Sequence, residues 1–395
     1  MPLVQLPTIY SMTQQFRARV QGALLERENL GLTRSLQVLE GGNQVSTQCG
    51  DTEFINFSSN DYLGLASDKA LTSAWQAGLD IYGAGSGASP LVTGFSAAHA
   101  SLESSLCEWL GFDRAVLFGS GFSANQALLF TLMHKDDLLL QDKLNHASLM
   151  EAGMLCQATM KRFKHNDVLH LSQLLSGDQN ALVVTEGVFS MDGDISPLKE
   201  IHQLTRNNAW LMVDDAHGVG VLGEDGAGSC NVAGIHPEIL VVTFGKAFGL
   251  SGAAILCSEE VGNYLTQFAR HHVYSTAIPP AQAYAITHAV GMIQTQQWRR
   301  EKLHELSQVY DELLQSVEGY VATSTPIKPF ILGKSQHALN VARQLKDKGF
   351  WMTAIRPPTV PEGSARLRIT LTANHSIKDI SALASALVQC MESNK

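Results

Sequence analysis

Charge is scarce in these 395 residues: Asp, Glu, Lys and Arg make up 16% of the chain, where a soluble domain averages roughly 25%. With 45% apolar residues, a chain of this length reaches the practical limit of one core, so a large and a smaller domain are expected. Basic residues are fewer than acidic ones, 28 against 37, and no basic run exceeds a pair, which excludes a surface that tracks nucleic-acid phosphates. Cysteine is sparse and scattered: Cys49, Cys107, Cys156, Cys230, Cys257 and Cys390 form no C-x-x-C. That argues against a zinc site or a disulfide framework and for a reducing compartment. No apolar run approaches the ~18 residues of a membrane span, and MPLVQLPTIYSMTQQFRARV joins no basic flank to an apolar segment. The cytoplasm is the expected compartment.

The pattern along the chain predicts an α/β protein. Residues 12–30 read as an amphipathic helix, followed by a Gly/Asn/Gln/Thr stretch of low order; together they make a lead-in segment, 1–51. Over 52–295 the short runs EFINFS, RAVLF, DDLLLQ, ALVVTE, AWLMVDD, ILVVTF and GAAILC alternate with helical patterns, as in a mainly parallel sheet covered on both faces. Ser196 and Pro197 are expected to cap and open the helix at 197–207. From 296 to 395 a charged helix, WRREKLHELSQVYDELLQSVE, leads into short strands and helices of a smaller C-terminal α+β domain. Gly349 is expected to end one of its helices, and Ser376 with Asp379 to start another as a capping box.

Glycine is ordinary in number but clustered: 15 of 33 fall in 83–94, 111–121, 218–228 and 245–252. GVGVLG at 218–223 matches the G-x-G-x-x-G of nicotinamide-dependent oxidoreductases. That fingerprint needs a helix opening at the glycines, and EDGAGSCNVAG cannot propagate one. Gly245-Lys246 is not a P-loop, because Leu240 and Ala247 stand where glycine and Ser or Thr are required. Lys246 itself, in VVTFGKAFGLSG, is either a loop lysine facing water or a desolvated amine of lowered pKa, the kind that forms Schiff bases. Asp214, Asp215 and His217 follow a strand, where α/β sheets bind ligands; the alternative is a satisfied structural pair. SGFSAN opens a helix after RAVLF, suited either to a phosphate or to a plain N-cap by Ser120 or Ser123. His146 begins the next helix, where an imidazole can lie flat on a ring. The ordered series of phosphate-type turn, His, Asp-x-x-His and Thr-x-x-Lys at successive strand ends is the layout of pyridoxal phosphate (PLP) enzymes with the aspartate aminotransferase-like fold.

The chain resembles the α-oxoamine synthases, PLP-dependent acyltransferases that condense a small amino acid with an acyl thioester and release CO2. The resemblance runs from Arg34 to the C-terminal helix through FSSNDYLGL, GSGASPLVTG, FGSGFSANQ, DKLNHASL, TEGVFSMDGDISPL, VDDAHGVGVLG, VTFGKAFGLSG, YSTAIPPAQA, IRPPTVP and RLRITLT. It implies that Lys246 carries the cofactor covalently and moves the α-proton, that Asp214 keeps the pyridine nitrogen protonated, and that His146 stacks on the ring. His217 and Ser190 fall on the ring-hydroxyl side, Gly121, Phe122 and Thr243 on the phosphate. Arg34, Asn60, His146, Thr359 and Arg368 are implied for the substrate. It also implies a homodimer with shared active sites, in which Ser275 and Thr276 reach the partner's phosphate. Ala247, in place of the glycine often found after the lysine, and Pro90 are small departures.

Within the family, VDDAHGVGVLG and GSGASPLVTG favour the biotin-pathway branch, which joins L-alanine to pimeloyl-CoA or a pimeloyl-acyl carrier protein. The branches using glycine with acetyl-CoA (2-amino-3-ketobutyrate CoA ligase), 5-aminolevulinate synthase and serine palmitoyltransferase are the rivals. An NAD-dependent oxidoreductase, resting on GVGVLG, and a non-enzymatic binding module are the readings from other classes.

Overall fold

The structure, a computed structural model, describes residues 9–175, 177 and 179–393. Six of the anticipated runs, together with TMKRF, form one sheet. Its strands are β1 (Arg114–Phe118), β2 (Leu138–Asp142), β3 (Thr159–Phe163), β4 (Ala181–Glu186), β5 (Trp210–Asp214), β6 (Ile239–Thr243) and β7 (Ala253–Cys257), in the spatial order β1-β7-β6-β5-β4-β2-β3. Only β7 runs antiparallel to its neighbours. TMKRF was not anticipated because it is an edge strand with mostly exposed side chains, and so carries no apolar run.

Side chains alternate across the sheet with period two. Val183, Leu211, Val213, Leu240, Val242, Ala254 and Leu256 enter one core. Leu182, Val184, Met212, Ile239, Val241, Ala253 and Ile255 enter the other. Strands wetted on neither face leave little room for charge, which accounts for the composition.

Several local expectations change. EFINFS does not join the large sheet: Thr52–Asn56 pairs with Ser46–Cys49, inside the stretch expected to be of low order, and in parallel with Phe350–Trp351 near the other end of the chain. Its single apolar pair, Phe54 and Ile55, suits a small two-sided patch better than a strand buried on both faces. Helix Leu198–Thr205 is not capped by Ser196, whose hydroxyl instead lies 3.0 Å from Thr185 Oγ1. The capping box at Ser376 does form, with Ser376 N–H donating to Asp379 at 2.7 Å and Asp379 N–H returning to Ser376 at 3.2 Å. Helix Ile9–Asn29 is present, but its side chains from 14 to 29 are all exposed within the single chain.

The glycines of GVGVLG have a different use from cofactor binding. The segment after β5 is a series of turns, and a Cβ on Gly218 would come within 2.0 Å of the Asp215 carboxylate. Buried Asp215 accepts Ser229 N–H and Ser229 Oγ–H, each at 2.7 Å. The glycine therefore makes room for this carboxylate rather than for a pyrophosphate.

The C-terminal region carries an antiparallel sheet of β8 (Ile327–Gly333), β9 (Thr353–Ile355) and β10 (Ala365–Thr370) in the order β8-β10-β9. Helix Ser335–Asp347 covers it, and helix Ile377–Ser393 packs on that helix and on Trp298–Leu314. The chain at 57–62 lies beside β10: Thr370 N–H donates to Phe57 O at 2.9 Å, and Ala373 N–H to Tyr62 O at 2.8 Å. That contact sets FSSNDYLGL against the arginines of RLRITLT.

Candidate active site

The chemistry-bearing residues converge along one edge of the large sheet, at the carboxyl ends of β1, β2, β4, β5 and β6, where α/β folds bind ligands. After β1, helix Gly121–Leu132 begins with Ser120 as N-cap, its hydroxyl accepting Ser123 N–H at 3.1 Å. The N-cap reading of SGFSAN is the one the geometry shows. Ser120 satisfies one donor, and the Gly121 and Phe122 N–H groups remain without intrahelical acceptors at the positive end of the helix. Thr243 at the end of β6 closes this corner. A Cβ on Gly121 would lie 3.7 Å from Thr243 Cβ, so the start of this helix and the end of β6 meet at one corner where the free N–H groups could hold an anion. The Thr243 hydroxyl turns to Gly252 O at 3.0 Å.

Lys246 sits on the turn that links β6 to β7, closed by Leu250 N–H to Phe244 O at 2.8 Å and Gly249 N–H to Lys246 O at 2.9 Å. Gly249 has φ of 71°, and a Cβ there would meet Ala66 N at 2.4 Å, so only glycine fits the turn that presents the lysine. Desolvation lowers the Lys246 pKa to about 8, against the opposing pull of Asp214 and Glu186 and with a smaller push from Arg368. The desolvated-amine reading is the one the surroundings favour.

Asp214 and Asp215, adjacent in sequence, part ways. Asp214 is 6% exposed and accepts from Asn125 Nδ2 at 2.7 Å and from Ala216 N–H at 3.1 Å. Across the strand pair it is in register with Glu186, a buried carboxyl whose Oε1 has no partner and whose pKa burial and Asp214 push well up. His217 is buried, with Nδ1 2.6 Å from Tyr62 Oη. Burial, with Lys246 and Arg368 nearby, holds its pKa far below the ordinary value, leaving a neutral imidazole. His146 caps helix Ala147–Leu155 and exposes its ring beside Phe122, the two centroids 6.5 Å apart and nearly perpendicular.

Arg368 and Arg366 alternate with Leu367 on β10 and so share a face. Arg368 donates from Nε to Ser190 O at 2.6 Å and from Nη1 to Asn60 Oδ1 at 3.0 Å, and Nη2 lies 3.5 Å from Tyr62 Oη. Of five guanidinium N–H groups, at least two are left to grip a carboxylate. Arg366 fastens the same loop through Met191 O at 3.3 Å and an ion pair with Asp192.

The far side of that loop is held by His165, whose Nδ1 is 3.0 Å from Asp142 and whose Nε2 is 2.7 Å from Asp194. Burial alone would lower its pKa, but the two carboxylates outweigh burial and raise it to about 10. A raised histidine pKa adds stability that is complete below the unfolded value of about 6.5 and fades as pH climbs through about 10. His165→Gln is therefore expected to cost about 2 kcal/mol at pH 6 and much less at pH 10.5. Urea unfolding of both proteins at the two pH values measures it; an equal cost at both would refute the charged clamp.

Four other implied residues, Arg34, Thr359, Ser275 and Thr276, lie on exposed segments. Arg34 is exposed, and its segment is tied down at Gly31 O by Arg356 at 2.7 Å. Thr359 is exposed on the loop between β9 and β10. Ser275 and Thr276 are exposed beside the glycine-rich loop, where Ser86 Oγ donates to Ala277 O at 2.8 Å. Tyr62, Asn125, Ser148 and Glu186 were not singled out from sequence. Glu186 carried a usable signal, a charge ending the apolar strand ALVVTE.

The donor set fits PLP: a corner for an anion at Gly121, Phe122 and Thr243, an acceptor at Asp214, an open imidazole face at His146 and an amine of lowered pKa. Comparisons with known proteins agree. The aminotransferase class I and II family matches residues 52–387. The 8-amino-7-oxononanoate synthase of Vibrio cholerae is 66% identical over 381 residues, 96% of this chain and 99% of its own. That of Aliivibrio fischeri is 63% identical over 379 residues, 95% and 99%. Among solved structures, Francisella tularensis 8-amino-7-oxononanoate synthase superposes with a TM-score of 0.77 at 30% identity, covering 86% of this chain and 98% of that one. A serine palmitoyltransferase from S. paucimobilis with a bound PLP-myriocin aldimine superposes with a TM-score of 0.90 at 25% identity, covering 95% and 98%.

Proposed function

The chain belongs to the aminotransferase class I and II family and, within it, to the 8-amino-7-oxononanoate synthases, and from that premise we propose how its residues carry the reaction. The protein is a PLP-dependent acyltransferase that joins L-alanine to a pimeloyl thioester, releasing CO2 and the thiol, to give 8-amino-7-oxononanoate in biotin biosynthesis. The observation that carries the mechanism is the convergence of a desolvated Lys246 with Asp214, His146 and Arg368 at one sheet edge.

When bound, PLP supplies an electron sink that makes the alanine α-proton removable. Gly121, Phe122 and Thr243 would hold its phosphate, Asp214 would accept the hydrogen bond of its ring nitrogen, and His217 with Ser190 would line its hydroxyl side. Lys246 Nζ would anchor the cofactor, and its free amine would take the α-proton and later return one. With a pKa near 8 it has an appreciable neutral fraction at physiological pH, as a base needs. Arg368 grips the alanine carboxylate with its free N–H pair, while Asn60 and Tyr62 keep the guanidinium in plane. His146 covers the ring, and Thr359 and Arg34 face the acyl donor.

The enzyme works as a homodimer in the cytoplasm. Exposed Leu91, Val92, Phe95 and Tyr274 gather around the glycine-rich loop and the YSTAIPP segment, an apolar face that a second copy would cover, bringing Ser275 and Thr276 to the partner's phosphate. Among the described residues no helix is long and apolar enough to cross a membrane.

The test is CO2 release from purified protein, PLP and a pimeloyl thioester with alanine, glycine or serine. Turnover with alanine is expected; turnover with glycine alone would transfer the chain to the glycine-using branch. Arg368→Leu is expected to raise the KM for alanine roughly 30-fold or more, the loss of about 2–3 kcal/mol for a charged hydrogen-bonded pair. An unchanged KM in steady-state assays would remove Arg368 from the carboxylate.

A further inference from the structure

Between Asp214 and His146 runs a buried chain of hydrogen bonds that the mechanism above does not use. Asn125 Nδ2 donates both its hydrogens, one to Asp214 Oδ2 at 2.7 Å and one to Ser148 Oγ at 2.9 Å. The amide cannot be reversed, because its oxygen would then face a carboxylate that only accepts. Asn125 Oδ1 is left without a partner, so the two donor bonds decide the orientation. Ser148, fully buried, must then use its own hydroxyl hydrogen elsewhere, and His146 Nδ1 stands 2.8 Å from Ser148 Oγ. The Ser148 backbone N–H points at the same nitrogen from 3.3 Å. Two donors converge on Nδ1, which leaves no room for a hydrogen there.

We infer that Asn125 and Ser148 are positioning residues that fix His146 as the neutral tautomer, with Nδ1 an acceptor and Nε2–H presented to the ligand side. The titratable groups around His146 are Asp214, Lys246 and Glu186, whose carboxyl accepts the His146 backbone N–H, with neutral His217 beyond. Burial and Lys246 lower the His146 pKa, and Asp214 opposes them. A neutral ring stacks on a protonated pyridine without charge repulsion, and its one outward donor can meet a substrate oxygen. Asp214 would thus serve both as the acceptor for the ring nitrogen and, through two side chains, as the anchor of the donor on the ring face.

The inference rests on the PLP reading only for its purpose, not for its test, since proton positions can be read whatever the protein catalyses. Neutron diffraction from deuterated crystals of the full-length holoenzyme near pH 6 is expected to show deuterium on His146 Nε2 and none on Nδ1. Ser148→Ala and Asn125→Ala should each show deuterium on both nitrogens, and Ser148→Thr, which keeps the hydroxyl, on Nε2 alone. The acid limb of kcat/KM should move up by about one pH unit in the two alanine variants, the worth of one hydrogen bond. Deuterium on Nδ1 of the wild-type protein overturns the inference. So does an alanine variant that loses thermal stability while its deuterium positions and pH limb stay where they were, since that is the signature of a merely structural role.

Discussion

Lys246→Ala should fold, bind PLP only noncovalently and lose turnover by about 10⁴-fold or more, because one amine serves as anchor and as base. No neighbour can replace it. Glu186 is a buried carboxyl beside it, but burial and Asp214 push its pKa well up and its carboxyl accepts the His146 backbone N–H. His146 and His217 have their Nδ1 atoms taken up by Ser148 and Tyr62. The same desolvation that makes the lysine useful gives a second readout. Cofactor capture by the apoprotein needs the neutral amine, whose pKa burial lowers to about 8. The capture rate should therefore rise about tenfold per pH unit below 8 and level off above it. Stopped-flow absorbance during PLP addition measures this. A rate flat from pH 6 to 9, or a variant that keeps the wild-type absorbance after dialysis, would place the covalent attachment elsewhere.

Much of this site could be read from the chain because the fold delivers it in sequence order. Each strand end contributes one short motif, and the phosphate turn, His146, Asp214 with His217, and Thr243 with Lys246 follow one another along one sheet edge. Periodicity failed where a strand was not buried on both faces. TMKRF is an exposed edge, and Thr52–Asn56 belongs to a small sheet completed by residues 350–351. TMKRF carries no apolar run and escapes the pattern, whereas EFINFS reads as a strand but is assigned by it to the wrong sheet. The residues missed in the site are of another kind. Asn125 and Ser148 are neutral amide and hydroxyl groups on helical turns, ordinary in any sequence. They matter only because β1, β2 and β5 bring their first loops within hydrogen-bond reach, and spacing along the chain does not encode that contact. The same holds for Arg366, whose partner Asp192 lies 174 residues away.

The two consecutive aspartates allow the sharpest separation of chemistry from architecture. Asp214 ends β5, Asp215 follows it and both are buried, yet they point to opposite tasks. Asp214→Ala removes the acceptor for the cofactor's ring nitrogen and strands Asn125. Removing one member of a buried charged pair costs about 3–5 kcal/mol, or two to three and a half orders of magnitude in kcat/KM. Because that partner is a cofactor, the loss should appear in turnover and PLP affinity, while in the apoprotein the cost of the unpaired Asn125 donor, about 1–3 kcal/mol, is offset by relief of the repulsion between Asp214 and Glu186. Asp215→Ala acts in the reverse sense. Its carboxylate satisfies Ser229 N–H and Oγ–H and is packed against Gly218. Loss of those bonds should cost about 1–3 kcal/mol of stability for the buried donors left unpaired and leave kcat/KM within about tenfold. Burial raises the Asp215 pKa to about 6, with the Ser229 bonds opposing. For an acid a raised folded pKa means that protonation favours the native state, so this residue's contribution declines as pH rises from about 4 to about 6. Its alanine variant should lack that slope. Denaturation curves of the apoproteins at pH 4.5 and 7, set beside kinetics of the holoenzymes, test the division. A collapse of kcat/KM in a stable Asp215→Ala protein, together with near-normal turnover in Asp214→Ala, would exchange the two roles and require the ring nitrogen to face Asp215.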